Sequence, residues 1–259
     1  MAQPASTDIS PLQERILGLV QTLQFAWFMG HFLTLLGTAF HLLSVVTFRS
    51  WVVPYRFAYV GALLSYGVVV SKTHKSIKLN AVYLQRLVMD ENVQYMLLAL
   101  CWFFVRPVTV TLLPFATFSL FHSLGYVRNK ILPTIFPNES KEIASWQFKI
   151  RQGIQMWTEK NYTSAMQFVA QTEVVVVMGR LLFGIFRLRV MPIFFFAQFL
   201  RVRYHFSSYT RQSFANLRRT LDKVTADPRV PPSVRNTYLA AQEMIIRYGQ
   251  SLIQQQPRR

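Results

Sequence analysis

Long apolar stretches alternate with polar, basic segments along this chain. The apolar stretches are Phe25–Phe48, Phe57–Val70, Tyr95–Val127 and Phe168–Leu200. A bilayer core about 30 Å thick requires about 20 helical residues to cross it, so all of these stretches except the shorter Phe57–Val70 have the length of membrane helices or hairpins. In addition, 52% of all residues are hydrophobic. The pattern predicts an all-α, multipass integral membrane protein with short or hairpin-like transmembrane helices and a cytosolic amphipathic helical tail.

The stretch Tyr95–Val127 is interrupted one third of the way along by Arg106 and Pro107. It is too long for one upright span and too short for two full ones, so it is either a membrane hairpin or one long broken helix. Proline removes a helical N–H, and an arginine at the bilayer centre costs at least a few kcal/mol. We therefore expect the break to lie near a headgroup region.

The stretch Phe168–Leu200 repeats this design, because arginines again divide shorter apolar blocks. The pattern fits a shallow hairpin whose arginines extend to the headgroups, with a single tilted span as the other possibility. The repetition favours hairpins in both stretches. The predicted hairpin turns are Arg106, Pro107, Arg187 and Arg189.

The remaining segments between the spans are shorter or more polar. Phe57–Val70 has 14 residues, so it is either a span extended by its polar neighbours or a shallow insertion. Ser71–Asn92 suits a helix lying on the membrane. Within Arg128–Thr163, apolar residues recur at helical spacing from Ile143 to Trp157, which predicts a second interfacial amphipathic helix.

From His205 onward the chain has the character of a soluble, basic tail. Two helices are predicted there, separated by a proline-containing break, and each has an apolar stripe. Such helices bind an anionic membrane surface, although the stripes could instead pack on each other as a small helical hairpin. We therefore divide the chain into a polar segment (1–24), a membrane domain (25–204) and a tail (205–259). The candidate membrane-binding residues are Phe214, Leu217, Arg218, Arg219, Leu221, Lys223, Val234, Tyr238, Ile245, Tyr248 and Leu252.

Charge orients this arrangement in the membrane. The formal net charge is +17, and from Arg180 onward fourteen basic residues face three acidic ones, a net charge of +11. By the positive-inside rule, the tail, the polar loops and both termini are predicted to be cytosolic. Anionic lipid is the simplest partner for such a tail, and we do not expect nucleic acid binding. The sequons at Asn138 and Asn161 should then remain unglycosylated.

The sequence offers no recognisable catalytic or metal-binding motif. Its five histidines are scattered, its single cysteine is Cys101, and no glycine-rich phosphate loop occurs. We therefore expect neither enzymatic activity nor a cofactor. A competing hypothesis is a small transporter or channel subunit, in which Glu173, Arg180 and Arg106 would line a polar path. Glu173 and Arg180 lie two helical turns apart on one face, where either could pair within the bundle.

Four sequence blocks, in order along the chain, carry a family resemblance. They are LVMDENVQYMLLAL (Leu87–Leu100), PVTVTLLPFATFSLFH (Pro107–His122), NYTSAMQFVAQTE (Asn161–Glu173) and FLRVRY (Phe199–Tyr204). With these blocks and the basic tail, the sequence resembles the transmembrane protein 33 family, whose fungal members include a pore-membrane protein of the nuclear envelope.

The resemblance implies a non-enzymatic protein of the endoplasmic reticulum and nuclear envelope. It further implies that the protein shapes or organises membrane together with reticulon-type proteins, and that it supports nuclear pore complex assembly or distribution among nucleoporins. By the same resemblance, the tail would bind curved membrane and an importin of the karyopherin-β class.

Overall fold

The structure, a computed structural model, describes residues 11–49, 51–75, 80–137, 146–185 and 190–253. Those residues form helices and connecting turns without any strand, which confirms the all-α prediction. The α-helices are α1 (Leu12–Val20), α2 (Leu23–Val46), α3 (Val52–Thr73), α4 (Ala81–Met89), α5 (Glu91–Phe104), α6 (Leu112–Tyr126), α7 (Leu132–Ile135), α8 (Trp146–Gln171), α9 (Met178–Leu182), α10 (Met191–Phe206), α11 (Ser208–Thr225) and α12 (Pro232–Ile253).

Four helical segments within the described residues are long and apolar enough to cross a membrane. They are Leu23–Val46, Val52–Thr73, Thr109–Ile135 and Trp146–Leu182. The multipass prediction is therefore confirmed. Two further apolar helices, α5 and α10, have 14 and 16 residues. At 1.5 Å per residue they are about 21 and 24 Å long, which is shorter than a bilayer core of about 30 Å.

Helices α2 and α3 form the first hairpin, and their backbones are in direct contact. A Cβ atom added at Gly61 would lie 2.6 Å from the backbone of Gly30 and Thr34, and one added at Gly37 would lie 2.6 Å from the Ala58 nitrogen. Small residues allow this approach, which favours van der Waals packing in a membrane. The apolar stretch Phe57–Val70 lies within α3, which has 22 residues. It therefore belongs to a helix of full spanning length and not to a shallow insertion.

Helices α5 and α6 form the second hairpin. The chain leaves α5 at Val105 in an extended conformation and re-enters a helix through a 3₁₀ turn, Thr109–Thr111. Tyr95 before the break and Phe118 after it have ring centroids only 5.2 Å apart. Tyr95 and Phe118 are about equally far from the break along the chain. Their contact therefore requires the chain to fold back at the break. The stretch is thus a hairpin and not one long broken helix.

The third hairpin is asymmetric. Its first arm runs without a helix end from Trp146 to Leu182, through a π-helical turn at Thr172–Val177, and α10 returns beside α5. The helix predicted from Ile143 to Trp157 is present in its described part, where it forms the beginning of this longer arm. Nothing between Trp157 and Phe168 breaks a helix, since that interval contains neither proline nor glycine.

The hairpins give the bundle two distinct ends. At the turn end, His41 near the end of α2 lies 3.0 Å from the Trp51 carbonyl oxygen and 3.1 Å from Thr109 Oγ1. The turn between α2 and α3 and the break between α5 and α6 therefore lie together. At the loop end, His74 Nε2 lies 3.0 Å from Asp90 Oδ2 before α5.

The N-terminal helix also lies at the loop end, where α1 packs against α7. Arg15 donates a 2.9 Å hydrogen bond to the Thr134 carbonyl oxygen. The described polar segments before α2, between α3 and α5, and after α6 thus share one end of the bundle. The short turns occupy the other end.

The chain divides into two compact units, Met1–Thr210 and Arg211–Arg259. The second unit contains most of α11 and all of α12. Within it, Tyr238 on α12 donates a 2.5 Å hydrogen bond to Asp222 on α11. The two tail helices are therefore in contact with each other.

Candidate functional site

Four side chains from three helices meet inside the bundle and form the ionic cluster: Glu91, Tyr95, Glu173 and Arg203. The Tyr95 hydroxyl donates a 2.7 Å hydrogen bond to Glu173 Oε1, and Arg203 Nε lies 3.9 Å from Glu173 Oε2. Arg203 also donates to the Glu91 carboxylate, and its guanidinium carbon lies 5.3 Å from the Tyr95 ring centroid. The exposed fraction of Glu173 is 0%, so this carboxyl is entirely enclosed.

Local structure explains how these side chains reach one another. Asp90 caps α5 by accepting hydrogen bonds from the Asn92 and Val93 N–H groups. Glu91 and Tyr95 then follow four residues apart, on one face of α5. Glu173 lies in the π-helical turn, a local widening that redirects side chains within a continuous helix.

An aromatic shell surrounds the buried part of the cluster, whereas the Glu91 side chain is 58% exposed. Tyr66 stacks on Tyr95 with ring centroids 5.7 Å apart, and Phe115 and Phe199 meet the same ring edge to face at 5.7 and 5.3 Å. Such a shell lowers the local dielectric, which strengthens paired charges and penalises unpaired ones. The cluster therefore suits the fixing of α5, the third hairpin's long arm and α10 against one another.

The residues of the transporter hypothesis are not brought together. Glu173 pairs with Arg203 and Tyr95 rather than with Arg180, its sequence neighbour two turns away. Arg180 instead lines a cavity of about 280 Å³ at the turn end, together with Arg106. Glu173 does not belong to that lining.

We call this space the turn cavity and define it by Trp102, Arg106, Pro107, Arg180, Leu181 and Met191. It lies where α5 ends and α10 begins, since Trp102 also contacts Phe196 with ring centroids 5.8 Å apart. Both hairpin-turn residues predicted in the second hairpin are found in its break and line this cavity. Arg187 and Arg189 lie outside the described residues.

Sequence reasoning missed Glu91, Tyr95 and Arg203. A signal was nevertheless present, because these three residues and Glu173 all fall within blocks that carry the family resemblance. The blocks lie far apart in sequence, so the contact between them is visible only in the folded chain.

The predicted membrane-binding residues of the tail lie on α11 and α12. Several of their apolar side chains face outward: the exposed fractions are 38% for Leu221 and 51% for Val234, and Val224 beside them is 55% exposed. The basic candidates Arg218, Arg219 and Lys223 are exposed on α11, whereas Phe214, Leu217 and Tyr238 are partly buried. The remaining candidates, Ile245, Tyr248 and Leu252, belong to α12, but their side chains lie outside the described part.

One contact ties the tail helices together electrostatically. The hydrogen bond from Tyr238 to the Asp222 carboxylate raises the pKa of the tyrosine, because deprotonation would place two negative groups side by side. Arg218 lies 3.6 Å from the same carboxylate, four residues away on α11. The helices thus meet through polar groups and leave apolar side chains uncovered.

Histidines also meet in the bundle, although not as a metal site. The rings of His31 and His122 have centroids 4.7 Å apart, and His31 Nδ1 lies 3.0 Å from Ser119 Oγ. Among the described residues, no group of three side chains suited to a metal ion occurs. These histidines serve as packing and hydrogen-bonding groups between α2 and α6.

The family model described as transmembrane protein 33/nucleoporin POM33 matches residues 6–251 of the chain. The chain belongs to this family. The resemblance expected from the four sequence blocks is therefore confirmed, and it extends across the first 80 residues as well.

Relatives within the transmembrane protein 33/POM33 family match nearly the whole chain. Tetra-spanning protein 1 of Schizosaccharomyces pombe is 33% identical, with 96% of this chain and 92% of the relative covered. Nucleoporin POM33 of Chaetomium thermophilum is 32% identical, with 91% and 88% covered. The pore membrane protein of 33 kDa of Saccharomyces cerevisiae is 29% identical, with 92% and 88% covered. No solved structure matches the chain.

Proposed function

We propose that the protein is a non-enzymatic component of endoplasmic reticulum and nuclear envelope membranes that shapes or organises the bilayer and supports nuclear pore complex assembly or distribution. The observation that carries the proposal is the uncovered apolar face of the tail beside exposed basic residues, in a chain that already spans the membrane. The names of its relatives, among them a nucleoporin and a pore membrane protein, support the location.

The tail is suited to a membrane surface. On α11, Leu221 and Val224 are exposed on the apolar side, while Arg218, Arg219 and Lys223 are exposed around it. Each basic side chain near an anionic leaflet gains about 1 kcal/mol, and the apolar side chains gain by insertion below the headgroups. Packing of α12 on α11 does not remove this gain, because the apolar side chains remain exposed.

The membrane domain adds a second contribution to shape. Helices α1, α4 and α7 add protein at the loop end, whereas α5 and α10 are too short to reach the far boundary of a bilayer core. A domain that occupies more area in one leaflet than in the other favours curvature, with the loop end on the convex side. This geometry suits tubules and the rim of a nuclear pore.

Orientation and partners complete the proposal. We place both termini and the loop end in the cytosol, because the polar loops and the tail carry most of the positive charge. The proposed partners are anionic, curved bilayer, reticulon-type proteins, nucleoporins and a karyopherin-β importin. Tags in Arg49–Arg56, in Arg128–Thr163 and in the tail would test this topology by protease protection, and a protected tail would contradict it.

The tail hypothesis is tested with the full-length protein reconstituted into anionic vesicles. Leu221→Glu places a charge on the apolar face of α11, whereas Gln212→Glu adds the same charge on the opposite face of that helix. We expect only Leu221→Glu to reduce vesicle tubulation and the recovery of the protein in small vesicles. Equal behaviour of the two variants would contradict membrane binding by this face.

The same vesicles separate membrane organisation from transport. A transporter would produce solute flux that disappears in Glu173→Gln, whereas a membrane-organising protein would retain its effect on vesicle shape without such flux. Arg106→Gln and Arg180→Gln extend the comparison to the other residues of the transport hypothesis.

A further inference from the structure

We propose that the turn cavity binds the phosphate group of a phospholipid from the leaflet at the turn end, held by Arg106 and Arg180. Neither guanidinium has a hydrogen-bond or ion-pair partner among the described residues, and no carboxylate lines the cavity. The connecting residues 186–189 add no acidic residue to the sequence either. Two arginines without an anion therefore face a common space.

The depth of the cavity makes this pair of charges expensive without an anion. Thr109, directly after the break, is hydrogen-bonded to His41, which lies five residues before the end of α2. At 1.5 Å per residue, the break lies about 7 Å short of the C-terminal end of α2, beside Trp51 at the start of α3. An arginine below the headgroups costs at least a few kcal/mol unless water or a phosphate group accompanies it.

The length of α5 gives the same depth independently. The helix starts at Glu91, at the loop end, and its 14 residues extend about 21 Å toward a boundary that is about 30 Å away. Arg106 follows only two residues after the helix ends. Its guanidinium can therefore reach a lipid phosphate that lies slightly below the headgroup region. No carboxylate of the cavity lining lies beside it.

The remaining lining matches the rest of a phospholipid. Trp102, Leu181 and Met191 provide an apolar wall beside the two guanidinium groups. Arginine binds phosphate oxygens through paired, charge-assisted hydrogen bonds, and the apolar wall suits the glycerol and the upper acyl chain. The first turn of α10 begins at the same place, and the positive end of a helix dipole favours an anion there.

A lipid held in this way would lower one headgroup into its leaflet and thin that leaflet locally. Such a site would act in the leaflet at the turn end. The inference therefore requires membrane insertion but not membrane binding by α11 and α12.

The test measures the thermal stability of the purified full-length protein in detergent with three probes. We expect dioctanoyl phosphatidic acid to raise the melting temperature, and neither dioctanoyl glycerol nor inorganic phosphate at the same concentration to do so. Dioctanoyl glycerol lacks the phosphate, and inorganic phosphate lacks the acyl chains. An equal increase with either of these would contradict a phospholipid site.

Substitutions of the two arginines test whether phosphatidic acid binds in the turn cavity. Arg106→Gln and Arg180→Gln should each weaken the apparent affinity for phosphatidic acid about tenfold, the loss expected for one charge-assisted interaction. Arg49→Gln is the matched control, because it removes the same charge in the turn between α2 and α3, outside the cavity lining. Unchanged affinity in both cavity variants, or an equal loss in the control, would overturn the proposal.

A second readout does not depend on the stability of the variants. Phosphatidic acid brominated on its acyl chains should quench Trp102 fluorescence, measured as the difference between the unmodified protein and Trp102→Phe. Absence of a Trp102 component in this quenching would contradict the site. Retention of vesicle tubulation in Arg106→Gln, together with lost lipid binding, would separate this site from the proposed function of the tail.

Discussion

The α2–α3 pair and the α5–α10 pair are both neighbouring helices of one bundle, yet they are held together in opposite ways. In the first pair, glycine and other small residues bring backbone against backbone, and the interface needs no charge. In the second pair, large aromatic rings separate the helices, and Arg203 of α10 reaches Glu91 of α5. The first solution depends on the absence of side-chain atoms, and the second depends on the pairing of opposite charges and a tyrosine hydroxyl.

This difference predicts where each pair is fragile. Small-residue packing fails when atoms are added, whereas a buried ionic cluster fails when one member is removed. Cys101, the chain's single cysteine, is a free thiol in α5 and allows unfolding to be followed with a thiol-reactive dye.

The largest effect is expected for Arg203→Leu. Removing the guanidinium leaves the fully enclosed Glu173 carboxyl without its cation, at a cost of about 3 to 5 kcal/mol in the free energy of unfolding. The measurement is the midpoint of unfolding in detergent, and the control is the double variant with Glu173→Gln. If the double variant is no more stable than Arg203→Leu alone, the ionic pairing is not the cause.

A somewhat smaller loss is expected for Gly61→Leu, about 3 kcal/mol, because the added side chain meets the backbone of α2, which cannot move aside. Gly67→Leu is the matched control on the same helix, since no atom lies within 4 Å of a Cβ added there. Dye labelling of Cys101 during heating should distinguish the two variants. Similar midpoints for both would show that close approach of α2 and α3 contributes little.

Tyr95→Phe tests the neutral member of the cluster. It removes one hydroxyl that donates to Glu173 and keeps the aromatic ring, so we expect a loss of about 1.5 kcal/mol. The same dye assay measures it, with Tyr83→Phe as an exposed-helix comparison. A loss as large as that of Arg203→Leu would mean that the hydrogen bond from the Tyr95 hydroxyl, rather than the charge of Arg203, holds this pair together.

The smallest effect is expected for Asp90→Asn, about 1 kcal/mol at neutral pH, because asparagine retains much of the helix-capping ability. Burial alone would raise the pKa of Asp90, but hydrogen bonds from His74 and from the Asn92 and Val93 N–H groups lower it overall. A lowered carboxyl pKa contributes stability above the pKa of the unfolded chain, and this stability is lost as the pH falls through the folded value. The difference between Asp90→Asn and the unmodified protein should therefore shrink below about pH 4. A constant difference would contradict the assignment.

The two pairs also differ in how far the sequence predicts them. Lengths of apolar stretches are sufficient for α2 and for the hairpin at Arg106 and Pro107, because bilayer thickness and proline geometry act locally. Gly61 and Gly67 are equivalent in sequence, however, and only the docking of α2 shows which one lies at the interface.

The ionic cluster could not be predicted because its partners come from separate hairpins. Arg180 lies at helical spacing from Glu173, so reasoning from sequence spacing alone pairs Glu173 with Arg180 instead of Arg203. The π-helical turn at Thr172–Val177 redirects the Glu173 side chain, and the residue types of TEVVVV do not predict such a turn. The continuous arm Trp146–Leu182 was missed for a related reason, since a change from polar to apolar composition does not end a helix.

The clustering of short turns at one end of the bundle has a consequence for biosynthesis. The first two hairpins can enter the bilayer from the loop end with only short turns carried across, five residues in Thr47–Trp51 and four in Val105–Val108. With the loop end in the cytosol, as proposed, the polar helices there are not translocated, so insertion as preformed pairs avoids the cost of moving long charged segments through hydrocarbon. Lengthening a turn with charged residues should thus slow insertion long before it harms the finished fold.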